Sequence, residues 1–164
     1  MKKTVKLFPF VLFWMLFTCT AMSVSAQKKV SAKETAIKSL LDNHRYVFYA
    51  ESALPSSGRQ RYLTSEYTVT IVKDSIISDL PYFGRAYAAP IGTTDGGIKF
   101  TSVDFDYTVI PRKKGGWEVN IKPKDGQDVQ SMILTIYDNG KAYLNVNSNN
   151  RQTISFNGHI GNTK

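Results

Sequence analysis

The chain has 164 residues, with 21 Lys and Arg against 13 Asp and Glu, a formal charge of +8. That length suits one ordinary domain and excludes a multidomain enzyme. A hydrophobic share of 42% excludes a disordered chain. A multi-span membrane protein is excluded as well, because no apolar run reaches the roughly 20 residues a spanning helix needs.

The first 26 residues have the anatomy of a secretory signal peptide. Lys2, Lys3 and Lys6 form a basic start, Leu7 to Phe17 an apolar run, and Val24-Ser25-Ala26 a small-residue cleavage site before Gln27. Cys19 offers a lipoprotein alternative, but Thr18 is larger than the residue that normally precedes a lipidated cysteine. Cleavage after Ala26 is therefore the expectation. It removes the chain's one cysteine and three lysines, lowering the formal charge to +5. Thiol catalysis, disulfides and cysteine-based zinc sites go with it. A periplasmic or secreted domain follows, with no transmembrane segment.

Residues 27–30 read as a polar arm and residues 31–164 as a single domain. Ser31 and Glu34 have capping-box spacing, and Ala36, Ile37, Leu40 and Leu41 follow at helical period, predicting a helix from about Ala32 to Asn43. From Arg45 the period becomes two. Tyr46 to Ala50 reads as a strand and Pro55 to Gly58 as a loop. Tyr67, Val69 and Ile71 alternate with threonines, and Lys73-Asp74 turns tightly into Ser75 to Ser78. Leu80 to Thr94 is long and irregular, with Pro81, Gly84, Pro90 and Gly92.

Ile98 to Ile110 is the longest strand signal, and it slips: Ile98 and Phe100 share one parity, while Val103, Phe105, Tyr107 and Val109 take the other. A bulge near Thr101-Ser102 would restore one buried face. Trp117, Val119 and Ile121 then alternate with polar residues, which makes Trp117 a core candidate. Met132, Leu134 and Ile136 run into Asp138-Asn139-Gly140, a hairpin turn answered by Ala142, Leu144 and Val146. Asn145 to Asn150 fits a turn, and Ile154 and Phe156 mark the last strand. The class is mainly β: about eight antiparallel strands, as a barrel-like sheet or a two-sheet sandwich, with one N-terminal helix.

Four segments together, Leu80 to Ala86 (LPYFGRA), Asp95 to Phe100 (DGGIKF), Asn139-Gly140 and Ser155 to Gly158 (SFNG), resemble domain-of-unknown-function family 4251, exported proteins of Bacteroides-type bacteria. The resemblance spans roughly Leu40 to Ile160. It implies location and fold class, and it carries no catalytic residues.

Chemistry is sparse. His44 falls where the helix ends, a position that favours a cation, and His159 has outward parity. Neither has a serine-nucleophile context. Asp104 and Asp106 share a strand face and are expected to be solvated opposite basic residues. Asp95-Gly96, Asp125 to Asp128 and Asp138 to Gly140 are turn chemistry and lack calcium-loop spacing. No phosphate cradle is present, and Arg112-Lys113-Lys114 is a solvated run rather than a nucleic-acid patch. No metal, cofactor or catalytic residue is expected.

One loop departs from this pattern. Tyr82, Phe83, Arg85 and Tyr87 put three aromatics and an arginine between two prolines, the residue types that binding surfaces use. The expected function is a non-enzymatic binding module for a small apolar or glycan ligand or an envelope partner protein. The alternatives are a structural envelope accessory and, third, a hydrolase using Asp104, Asp106 or His159.

Overall fold

A computed structural model describes residues 32–87, 96–126 and 128–163. The leader, the polar arm, Ser31 of the capping box, and the Pro90, Gly92 and Asp95 positions lie outside the described residues.

Helix α1 (Ala32–Asp42) buries Ile37 and Leu41, the inner members of the predicted stripe. It ends where His44 turns to φ 49°, its amide donating to the Leu41 carbonyl. Nine strands follow: β1 (Arg45–Pro55), β2 (Arg61–Val72), β3 (Ser75–Leu80), β4 (Ile98–Ser102), β5 (Phe105–Pro111), β6 (Trp117–Pro123), β7 (Val129–Ile136), β8 (Lys141–Ser148) and β9 (Ile154–Gly161). They form one sheet in the order β4-β3-β2-β1-β9-β8-β7-β6-β5, every neighbouring pair antiparallel.

The slip in the longest strand signal has a different origin from the expected bulge. Eight successive antiparallel pairings make β4 and β5 parallel to each other, and only Val103 and Asp104 separate them. They are two halves of one bent strand that leaves β3 and takes up β6. Because those halves are also the two ends of the strand order, the sheet curls into a nearly closed barrel rather than a sandwich. The loop after β6 holds the bend. Asp125 accepts from the Ser102 hydroxyl (2.9 Å) and the Val103 amide (3.1 Å), and the Lys124 amide donates to the Asp104 carbonyl (2.8 Å).

Inward side chains of eight strands join Ile37 and Leu41 of the helix in one buried cluster, with Tyr46, Phe48, Ile71, Ile76, Leu134, Leu144 and Phe156 almost fully enclosed. On β5 the inward residues Phe105, Tyr107 and Val109 are only half-buried, as an edge position dictates. Trp117 has the predicted parity but is also half-buried, packed against the cluster rather than inside it. Asn145 and Asn147, expected near a turn, are outward residues of β8; the turn begins after Ser148.

Two features of the barrel position the sites described below. At one end α1 lies over the β7–β8 turn, where Gly140 takes φ +81° close to Lys33 and Ile37. Beneath it His44 packs on Tyr107 at 4.2 Å, and the Tyr107 and Tyr46 hydroxyls meet at 3.0 Å. The second feature is in β1, where the register against both β2 and β9 shifts between Ala50 and Ser52. Glu51 is the extra residue of a β-bulge, a device that re-aims a side chain.

Candidate functional site

The connections β1–β2, β3–β4, β6–β7 and β8–β9 open at the barrel end away from the helix. Arg151, in the last of them, ties the described parts of β3–β4 and β6–β7 to it, and Ser56 and Ser57 bond β1–β2 to Thr153 and Gln152. The Arg151 guanidinium is buried, with 7% of the residue exposed. It donates from Nη1 to the Gly96 and Gly97 carbonyls at 2.6 and 2.9 Å, and its Nε lies 3.1 Å from Asp128 Oδ2. The same group sits 5.3 Å over the Tyr82 ring. A planar cation with five donors can satisfy carbonyls, a carboxylate and an aromatic face together, which an ammonium cannot.

Around this hub the aromatic segment is fixed by its backbone. Ala86 bridges to Arg151, the Tyr87 amide donates to Asn150 O (2.8 Å), and the Gln152 amide donates to Arg85 O (3.0 Å). Tyr82 turns inward, its hydroxyl shared between the carbonyls of Arg85 (2.7 Å) and Gln152 (3.0 Å), and burial raises its pKa above the ordinary phenol value. Tyr82 is therefore a structural anchor beneath the rim.

The other three expected site residues face outward. Phe83 is partly exposed and lies under the Arg61 guanidinium at 5.0 Å, a cation–π pair. Tyr87 is 72% exposed. Arg85 is exposed and, among the described residues, makes no ion pair. Arg61, Phe83, Arg85 and Tyr87 thus form an aromatic and cationic rim on a pinned backbone. The inward side chains of the described strands form the core cluster of the barrel.

The sequence offered no pointer to Arg151, which stands in a polar stretch without periodicity, nor to the stacking of Arg61 on Phe83. The hydrolase residues do not assemble. Asp106 pairs with Lys124, whose pKa that carboxylate raises. His159 lies on the outer face, its Nδ1 2.7 Å from Glu51 Oε1 and its ring stacked on Tyr49 at 5.2 Å. No group of three or more His, Cys, Asp and Glu poised for a metal occurs among the described residues. No helix among them is long and apolar enough to cross a membrane.

No curated protein matches the chain. A solved structure does: the crystal structure of a DUF4251 family protein from Bacteroides eggerthii superposes with a TM-score of 0.57 over 79% of this chain and 87% of that one. The two are 16% identical, so the likeness is one of fold. The profile of the same family, described as a domain of unknown function (DUF4251), matches residues 28–160, the barrel and its helix together, and the chain belongs to that family.

Proposed function

We propose that the protein is exported, loses residues 1–26, and acts without catalysis as a binding module whose loop-end rim engages an acidic glycan. The observation that carries this reading is the rim itself. Arg61 over Phe83, with Arg85 and Tyr87 beside them, is presented on a backbone held by the two hydrogen bonds of the Ala86–Arg151 bridge to the β8–β9 connection. Arginine gives planar donor pairs suited to carboxylates and sulfates, and the aromatic rings add contact area with few rotors to freeze. The inward side chains pack into one cluster and the rim stands outside it, so the recognition proposed here is on the surface.

Retention on an immobilised sulfated polysaccharide, read as the salt needed for elution, tests the reading. Arg85→Ala should elute at clearly lower salt while melting with the wild type, since the side chain is exposed. Equal elution of the two proteins refutes it. A structural envelope accessory, the alternative reading, predicts that equal elution. Export is checked by intact mass: a mature start at Gln27 is expected, and a lipid on Cys19 or a retained leader refutes it.

A further inference from the structure

We infer that the outer face of the barrel carries a second binding site, a groove for an uncharged saccharide at the β1 bulge. Unlike the rim, it lies on the side of the sheet where β1, β9 and β8 adjoin. Its volume is about 480 Å³, within the range of small-ligand sites. Glu51, Tyr137, Asn139, Lys141, Tyr143 and Asn157 line it, together with the cross-strand partners Ala142 and Gly158.

The local fold builds the groove. A side chain at position 158 would drive into the Tyr49 carbonyl, so glycine lets β9 close on β1 beside the bulge. The bulge then aims Glu51 along the outer face, where His159 takes one of its carboxylate oxygens at 2.7 Å. Tyr143 is held by its hydroxyl, which donates to Ser155 Oγ at 2.7 Å. Asn139 accepts the Lys141 amide through Oδ1 (3.0 Å), and the Asn157 amide nitrogen reaches Ser52 Oγ at 3.5 Å.

Glu51, Asn139, Tyr143 and Asn157 thus each have one internal bond that orients the side chain and a valence left over. Asn139 keeps its amide donors and Asn157 its carbonyl acceptor. Glu51 keeps its second oxygen, and the Lys141 ammonium has no ion-pair partner among the described residues. A groove mixing donors and acceptors, with tyrosine walls, matches a ligand whose hydroxyls both donate and accept and whose C–H face packs on a ring. That ligand is a sugar. An anion would face Glu51, and a cation would face Lys141. Glycoside hydrolysis uses two carboxylates across the bond, and the groove lining holds one, so the site binds rather than cleaves.

Amide NMR of the purified protein, titrated with chitobiose and separately with cellobiose to about 10 mM, tests the inference at the weak affinity expected of an open groove. At least one sugar should move the amides of Glu51, Asn139 to Tyr143 and Asn157 to His159. Lys141→Ala combined with Asn157→Ala should weaken binding about tenfold, the loss of one to two hydrogen bonds. Both positions are exposed, so melting should not change. Arg85→Ala should bind the sugar as wild type does, which separates this site from the rim. Absence of movement with either sugar, movement centred on Tyr82 to Tyr87, or full binding by the double variant overturns the inference.

Discussion

Replacing Arg151 by alanine should loosen one whole end of the barrel. The side chain is enclosed and makes charge-assisted bonds to the Gly96 and Gly97 carbonyls at 2.6 and 2.9 Å. Hydrogen bonds to charged groups contribute about 1.5–3 kcal/mol each. The Asp128 contact adds less, because that carboxylate is 32% exposed and water replaces its partner. Stranding a fully buried partner would cost 3–5 kcal/mol, and partial exposure at Asp128 brings the expected loss to about 3 kcal/mol. For a domain of this size that lowers Tm by about 10 °C. Thermal unfolding followed by circular dichroism measures the shift. Hydrogen exchange at the Tyr87 and Gln152 amides, which bond across the same junction, locates it. Arg151→Lys should recover only part of the loss, because an ammonium cannot serve the two carbonyls, the carboxylate and the Tyr82 face together. An Arg151→Ala variant that melts within about 2 °C of wild type, well under the shift for 3 kcal/mol, with Tyr87 and Gln152 still protected, would refute the hub.

Trp117→Ala should cost about 2 kcal/mol by denaturant titration, half the value for a fully buried aromatic, because the ring is half-buried at the end of β6. A loss above about 4 kcal/mol would place the ring inside the core instead. Burial, opposed by the hydrogen bond with Tyr46 and assisted by the Asp42 charge, leaves the Tyr107 phenol pushed from 10.0 up to about 12. The folded state then keeps a proton that the unfolded chain gives up. Stability is fully present below pH 10 and falls by about 2 kcal/mol as pH rises through 12, after a discount for partial exposure. Tyrosinate absorbance against pH checks this: at least two of the nine tyrosines should stay protonated well past pH 10, and all nine ionising together at pH 10 would refute it.

The elements and their faces were legible from local pattern. A helix from Ala32 and strands read from two-residue alternation are local properties, set by which side chains must leave water, and the structure places them as the alternation required. The Asp138-Asn139-Gly140 hairpin was legible for the same reason, since the turn demands a residue that accepts positive φ. Tertiary structure alone decided how the ends meet. The parity slip after Ser102 was visible, but a bulge and a change of partner strand leave the same local trace. Only the pairing of β4 with β3 and of β5 with β6 distinguishes them. The rim was half legible. Phe83, Arg85 and Tyr87 stood out as aromatics and arginine in a loop, whereas Tyr82 proved an anchor and Arg61 arrived from β2. Arg151 and Glu51 were not readable at all as site-builders. A buried guanidinium is paid for by carbonyls 54 and 55 positions away, and the bulge at Glu51 meets His159 across 108. Hydrophobic period records burial along a strand, but contacts over such separations exist only once the barrel has closed.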